Sequence, residues 1–386
     1  MNTYKKANYV NMLPLALYFI SFLAVDYISK HINGYSPKRY FQLIACFILL
    51  FVFFGFRGLP VLNDTAHYYA HLYNHLRYQS YFDESIFTTD PNEIFEYGYL
   101  VWIHFITKYI WCDPYSTILI SALIVTIANL LLVKNHTDRI ALTIFLMLNT
   151  LITEYGLLRQ SYAICISYLA FNFLMKRKFV IYYILIAIAY MFHHSVIVMA
   201  ILPIFSFIEL NKSNIIKAFI ATIIISVYIY PIISMIGFGN SYYYEGNQDR
   251  TAAPIAAMIN AAMDIFVVCT AYYLHKKFES RLPNPIIIWA VICELCLSII
   301  NIPFLSFFRL ALYFFPYITI YFIYIYDNCR EKYPDNRRIK TVMIVIILMF
   351  LGKMILTVAV KNIWHHLTPY SMYEFYDGFH NYSFGY

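Results

Sequence analysis

Residues 141–195 read ALTIFLMLNTLITEYGLLRQSYAICISYLAFNFLMKRKFVIYYILIAIAYMFHHS. Three apolar runs lie end to end, and the strongly polar residues collect at the joints: Glu154 with Arg159 and Gln160, then Lys176-Arg177-Lys178, then His193 and His194. An α-helix rises 1.5 Å per residue, so about 20 largely apolar residues cross a hydrocarbon layer of about 30 Å. The Lys-Arg-Lys joint carries the positive charge that marks a cytoplasmic turn, which puts the joints at Arg159 and His193 on the opposite side.

Working outward, apolar runs recur near residues 10–28, 40–56, 116–133, 140–156, 157–175, 179–193, 195–209, 214–236, 254–274, 284–301, 304–326 and 341–360. The chain is 61% hydrophobic and 13% charged, with a mean hydropathy of +0.60. A soluble protein carries about 25% charged residues, so lipid must be the solvent for most of this surface. The same composition excludes a disordered chain, a nucleic-acid-binding basic domain and a disulfide scaffold. The seven cysteines are scattered, and Cys293 and Cys296 form a CxxC inside an apolar run, where they read as small packing residues. Lys5 and Lys6 precede the apolar stretch Met12–Val25, which reads as an uncleaved first helix.

The formal net charge of +7 is loop charge that sets orientation. With the loops at 29–39, 134–139, 176–178, 209–217, 275–283 and 327–340 in the cytoplasm, that side holds eighteen of the 28 Lys and Arg. This arrangement requires an odd number of crossings between Glu96 and Lys134, where two apolar segments lie. The weaker one, Tyr97–Trp111, is therefore interfacial or re-entrant. The expected fold is an all-α polytopic membrane protein forming one integral membrane domain over 1–386. It has about twelve transmembrane helices plus one partial or re-entrant helix. A long extracytoplasmic loop, 57–96, follows the second span, and an extracytoplasmic tail occupies 361–386. No internal repeat is evident, which weakens a two-fold transporter architecture.

Polar residues that lipid should exclude fall at the outward ends of spans. Arg57 and Asp64 open the long loop and Glu96 closes it; Arg159, His193 and Arg309 mark three further outward turns. Charges near lipid are costly and line cavities. Arginines offer a fixed fork of donors to diphosphate or carboxylate oxygens, and a carboxylate or imidazole beside them can take a proton from a hydroxyl. The set suits an anionic, lipid-linked diphosphate better than a neutral solute. The plainer reading is that each arginine snorkels to the headgroups.

The stretch Phe54-Gly55-Phe56-Arg57-Gly58 through Asn63-Asp64-Thr65 with Tyr68 resembles the R-G-x-x-V-G-x-D-T-x-x-Y start of the outer loop in EpsG-like proteins, a branch of the Wzy-type polysaccharide polymerases. Glu96-Tyr97-Gly98-Tyr99 is similar to the family's E-P-G-Y, and Arg159-Gln160 with Ala163 to its R-Q-x-x-A. Phe192-His193-His194-Ser195 is similar to its F-H-x-S, and Arg309 with Tyr313 to a late R-x-x-x-Y. The motifs run in family order over roughly residues 50–315. Leu62 stands where the family usually has Gly, and Tyr97 replaces Pro; the first bears on how tightly the backbone turns, the second on how the partial helix starts.

The resemblance implies a glycosyltransferase that polymerises oligosaccharide repeat units of an O-antigen, capsule or exopolysaccharide at the outer face of the bacterial inner membrane. An acceptor sugar hydroxyl would attack the anomeric carbon of a sugar joined to polyprenyl diphosphate, in one inverting displacement. No cofactor and no metal is implied. Arg57, Arg159 and Arg309 would take the diphosphate oxygens; Asp64 is the first candidate for general base and His193 the second. Glu96 would position a sugar or an arginine, with Gln160, His194, Tyr68 and Tyr313 in support. The expected partners are the polyprenyl-diphosphate-linked oligosaccharide, membrane lipid, and a chain-length regulator and flippase of the same pathway; no nucleic acid is expected.

Smaller signals carry bland readings. Asp64, His67, His71 and His75 have spacings that resemble metal ligands but fit an interfacial helix equally well. Asp264, Glu294 and Lys353 lie within spans and read as bundle-stabilising partners, with a proton path as the sharper alternative. The 39 tyrosines include two outer clusters that suit interface belts or sugar stacking. Three rivals stay open: a flippase or transporter of the lipid-linked oligosaccharide, an O-antigen ligase-like transferase, and a multi-span acyltransferase. The first would want charge through the depth of the bundle, and the third a cytoplasmic acyl-donor site.

Overall fold

The chain is described from a computed structural model, over residues 13–59, 61–62, 65, 68–69, 96–235, 252–365, 367, 370 and 372. Apolar runs become helices because helix closes every backbone hydrogen bond within one segment, which lipid demands. They are α1 (Leu13–Ser29), α2 (Tyr35–Gly55), α3 (Tyr97–Phe105), α4 (Ser116–His136), α5 (Ile140–Gly156), α6 (Leu158–Met175) and α7 (Phe179–Tyr190). A 3₁₀ helix, His194–Ser206, follows, then α8 (Lys212–Met235), α9 (Ala252–Phe278) and α10 (Pro285–Ile300). The last are α11 (Phe308–Ala311), α12 (Phe315–Lys332) and α13 (Arg337–His365). Among the described residues there is no strand, only an isolated antiparallel bridge between Arg57 and Met372.

Among the described residues, five helices are long and apolar enough to cross a membrane: α2, α4, α8 through Ile229, α9 from Ile255 and α13 through Val358. Several others are apolar but shorter, so this is an all-helical protein of membrane type. The run expected as two crossings, 179–209, departs from the pattern. It forms the 12-residue α7 and the 13-residue 3₁₀ helix, packed against each other. At about 1.5 Å and 2.0 Å per residue they span about 18 Å and 26 Å. Tyr97–Trp111 is likewise short: α3 runs into a π-turn at Ile106–Ile110, where the Trp111 amide donates to the Ile106 carbonyl five residues back. Tyr97, Val101, Phe105 and Tyr109 are exposed on one face of it, while Tyr99, Ile103 and Ile106 are buried on the other.

The chain folds as two compact units. One comprises Met1–Leu131, Ile140–Tyr162 and Leu351–Tyr386; the other, Leu132–Arg139 and Ala163–Phe350. In the first, α1, α2 and α5 pack on one another, and α5 is buried along nearly its whole length. In the second, α10 is central: it meets α8, α9, α11, α12 and the 3₁₀ helix, and α12 is buried around most of its circumference. α5 and the 315–326 stretch of α12 are largely apolar, the composition of a helix with protein on every side. By contrast α8 exposes Ile220, Ile223 and Val227, and α13 exposes Leu348 and Leu356. Apolar outward faces are what lipid-facing helices require.

Local signals set the helix ends. Asn284 caps α10, its side chain accepting from the Ile286 amide at 2.9 Å, with Pro285 as first residue. Arg177 (φ 55°) and Glu279 (φ 48°) take left-handed conformations just past α6 and α9. Basic residues fill the last turns of α4, α9 and α12, complementing the helix dipole.

Candidate functional site

In the first unit, the expected residues gather around the C-terminal ends of α2 and α5 and the start of α6. Arg57 lies two residues past α2 and is fully buried. Its Nε donates to Thr65 Oγ1 at 3.1 Å, its Nη2 to the Tyr155 carbonyl at 3.1 Å, and its Nη1 to the Phe54 carbonyl. These acceptors explain the burial. Helix C-termini leave carbonyls without partners, and both Phe54 and Tyr155 lie in the last turn of a helix. Burial pushes the guanidinium down to about 10, which leaves it charged at neutral pH.

The surroundings of Arg57 are rigid. The Tyr115 hydroxyl reaches the Gly55 and Arg57 carbonyls, each at 2.7 Å. The Tyr155 ring stacks on Phe54 at 3.9 Å, and its hydroxyl pairs with Thr126 Oγ1 at 2.6 Å. Next to it, buried Glu154 accepts from Asn129 Nδ2 at 2.9 Å. From the far end of the chain, Tyr370 stacks on Phe53 at 4.4 Å and donates to the Phe53 carbonyl. Arg57 was expected to face a diphosphate. Instead its guanidinium points inward and ties α2, Thr65 and α5 together.

Four residues after Tyr155, Arg159 does carry an accessible charge. Its Nη1 pairs with Glu96 Oε2 at 2.6 Å, and its Nε donates to the Tyr68 hydroxyl at 3.2 Å. The arginine side chain is 23% exposed and the carboxylate 8%, so the pair opens toward solvent on the arginine side. Glu96 also ends the long loop: its carbonyl accepts from the Tyr99 and Leu100 amides to start α3. A carboxylate at that position is further favoured by the helix dipole. Aromatic rings back the pair. Tyr68 lies edge-on to Tyr99 at 5.8 Å, and Tyr99 is tilted at 45° to Tyr162, 6.3 Å away. Tyr162 is in turn bonded to Ser121 Oγ at 2.6 Å. Gln160 is buried beside this set. Glu96, expected to position a sugar or an arginine, contacts Arg159 here. Asn63, Asp64, His67, His71 and His75 lie outside the described residues.

The second unit holds the other group. His193 precedes the 3₁₀ helix and caps it, Nδ1 accepting from the Ser195 amide at 3.2 Å. Ser195 Oγ lies 2.7 Å from the same Nδ1 and 2.9 Å from the Tyr313 hydroxyl. Tyr313 is fully buried, whereas His193 and Ser195 are half-buried. Arg309, also half-buried, sits on α11, which packs against the 3₁₀ helix. His194 is exposed, with its ring 4.6 Å from Tyr190. Deeper in this unit, Ser298 Oγ bridges Asp264 at 3.0 Å and Glu294 at 3.3 Å.

Several contributors were not singled out from the sequence. Thr65 and Ser195 stood inside quoted motifs without an assigned role. Asn129 carried no local signal, Tyr115 and Tyr155 read as interface residues beside apolar runs, and Tyr370 was read only as part of an outer tyrosine cluster.

Leu62 gives the departure from Gly a geometric meaning. It has φ 66°, the left-handed region that glycine enters freely. The turn is thus the one the family residue suits, made here with a buried leucine.

Neither the curated proteins nor the solved structures contain a match to this chain. A family profile does match, over residues 39–372, from the first turns of α2 to the bridge at Met372, and the chain belongs to the EpsG family.

Proposed function

We propose that this protein is a polysaccharide polymerase that joins polyprenyl-diphosphate-linked oligosaccharide repeat units at the outer face of the bacterial inner membrane. The observation that carries the reading is the Arg159–Glu96–Tyr68 group: a half-open arginine held by a carboxylate and backed by tyrosines, in an EpsG-family chain. Arg159 donates to diphosphate oxygens, where it offsets charge developing on the leaving group, and Arg309 is the second candidate for that role. Arg57 acts indirectly, holding the chain at Thr65, the residue after Asp64. Asp64 remains the first choice for the base that takes the proton of the acceptor hydroxyl. One direct displacement inverts the anomeric carbon, and the lipid diphosphate leaves with the bonding pair. We keep the orientation set by the basic loops, with about twelve crossings and Tyr97–Trp111 as a partial helix.

The test is a gene deletion followed by a polysaccharide gel and extraction of lipid-linked intermediates. Loss of long chains while single capped repeat units survive supports polymerisation. Accumulation of lipid-linked repeat units on the cytoplasmic side indicates a flippase. Survival of long chains on the lipid, unattached to their final acceptor, indicates a ligase. Re-expression of Arg159→Ala, Asp64→Asn and Arg309→Ala then addresses the site; normal chain lengths in all three sink the assignment.

A further inference from the structure

The hydrogen-bond chain at the mouth of the 3₁₀ helix has a fixed direction, and that direction decides what His193 can do. A neutral imidazole has one N–H and one acceptor nitrogen. Nδ1 accepts from the Ser195 amide at 3.2 Å, and an amide can only donate. The contact of 2.7 Å between Ser195 Oγ and Nδ1 therefore runs from the hydroxyl to the ring. This uses the one proton of Ser195, so at 2.9 Å the Tyr313 hydroxyl must be the donor to Oγ. The order is Tyr313 to Ser195 to His193, and the ring proton sits on Nε2.

A ring in that state presents a donor at Nε2 and cannot accept a proton there. Accepting one at Nδ1 would break the cap of the 3₁₀ helix and reverse the chain as far as buried Tyr313. The neighbouring positive charge fits a donor role. Arg309 stands four residues before Tyr313, on the short helix packed against the 3₁₀ helix. A guanidinium and an N–H suit an anionic oxygen, not a hydroxyl whose proton must be removed.

We propose that Ser195 and Tyr313 hold His193 as the neutral Nε2–H tautomer, so that His193 donates a hydrogen bond to a phosphate oxygen of the lipid-linked substrate. His193 is then not the base. Ser195 and Tyr313 are positioning residues that act through it. The inference rests on the polymerase reading for the identity of the substrate and leaves the base to another residue.

The experiment separates the two ring nitrogens. In His193→Gln the side-chain amide reaches to about the Nε2 position and can donate there; in His193→Asn the side-chain oxygen sits near the Nδ1 position and keeps the cap alone. The full-length protein in lipid vesicles is given lipid-linked repeat units, and chain formation is followed. A Gln variant within about ten-fold of wild-type kcat, with Asn and Ala down about 10²–10³-fold, is the expected result for loss of one donor to a developing charge. Ser195→Ala lowers kcat about ten-fold at unchanged KM, Ser195→Thr restores it, and Tyr313→Phe added to Ser195→Ala costs no more. Binding of bare polyprenyl diphosphate follows the same ranking, wild type and Gln above Asn and Ala. A Gln variant as inactive and as weakly binding as Ala overturns the inference, and so does an unchanged kcat in Ser195→Ala. If wild type makes no chains, the polymerase reading fails, and the binding series still decides the role of His193.

Discussion

Leu62→Gly sets two effects of opposite sign against each other. Leu62 takes φ 66°, and the left-handed region costs a residue with a Cβ about 1–2 kcal/mol. Glycine removes that cost. Against it stands the side chain, 1% exposed, in a turn that abuts the end of α5: a Cβ at Gly156 would lie 3.5 Å from that of Leu62. Truncating a buried leucine to alanine costs about 2.7–5 kcal/mol, and glycine adds about 0.5–1 kcal/mol of chain entropy. The balance is a loss of about 1–5 kcal/mol, destabilising over the whole range. The turn is bracketed by two backbone bonds, from Val61 to the Gly58 carbonyl at 3.0 Å and from Thr65 to the Leu62 carbonyl at 3.1 Å. Native-state hydrogen exchange reads their local opening directly. At a loss of about 2 kcal/mol the Thr65 amide exchanges about thirty-fold faster in the variant, since 1.4 kcal/mol is ten-fold. Unchanged or slower exchange would refute the reasoning: backbone strain would then outweigh burial, and the leucine would be a tolerated defect.

Three further outcomes follow from the first unit. Arg159→Ala leaves the nearly buried Glu96 carboxylate without its cation and costs about 1–3 kcal/mol, below the value for a fully buried pair because the arginine is partly exposed. The double variant with Glu96→Ala loses less than the sum of the two singles in a thermal-melting cycle. Tyr115→Phe removes the donor shared by the Gly55 and Arg57 carbonyls and costs about 1–3 kcal/mol, read as a lower melting temperature in detergent. Tyr370→Ala deletes the stack on Phe53 and a hydrogen bond, so limited proteolysis after α13 proceeds faster than in wild type while cleavage between α9 and α10 is unchanged.

What could be read from the sequence depended on whether a residue's partners were local. Helices announced themselves through long apolar runs, and the basic loops marked their joints. The Arg159–Glu96–Tyr68 group was legible because each member stood in a motif beside the end of an apolar run, where charge has few other uses. The 179–209 run was not, since a segment apolar on every side has no periodicity to distinguish a 3₁₀ helix from an α-helix. The inward turn of Arg57 was hidden for another reason. Its acceptors are the Phe54 and Tyr155 carbonyls and Thr65, two of them backbone groups that carry no side-chain signature. Tyr370 reaches Phe53 across 317 positions of sequence, which no local pattern encodes.

The arginines show why counting charges at outward turns overstates a site. In a chain with 13% charged residues, each arginine near lipid has to be accounted for, and three at separate turns suggest three ligands for one anion. Helix ends in the same region make a competing demand. Carbonyls in the last turns of α2 and α5 need donors that lipid does not provide, and a guanidinium meets several at once. Arg57 answers that demand completely, Arg159 is shared between a carboxylate, a tyrosine and solvent, and Arg309 stays half-exposed on its short helix. Burial therefore ranks them by what they can offer an incoming phosphate. A lysine at Arg57 could not span Phe54, Thr65 and Tyr155 from one ammonium, so Arg57→Lys should destabilise the turn before it affects any ligand.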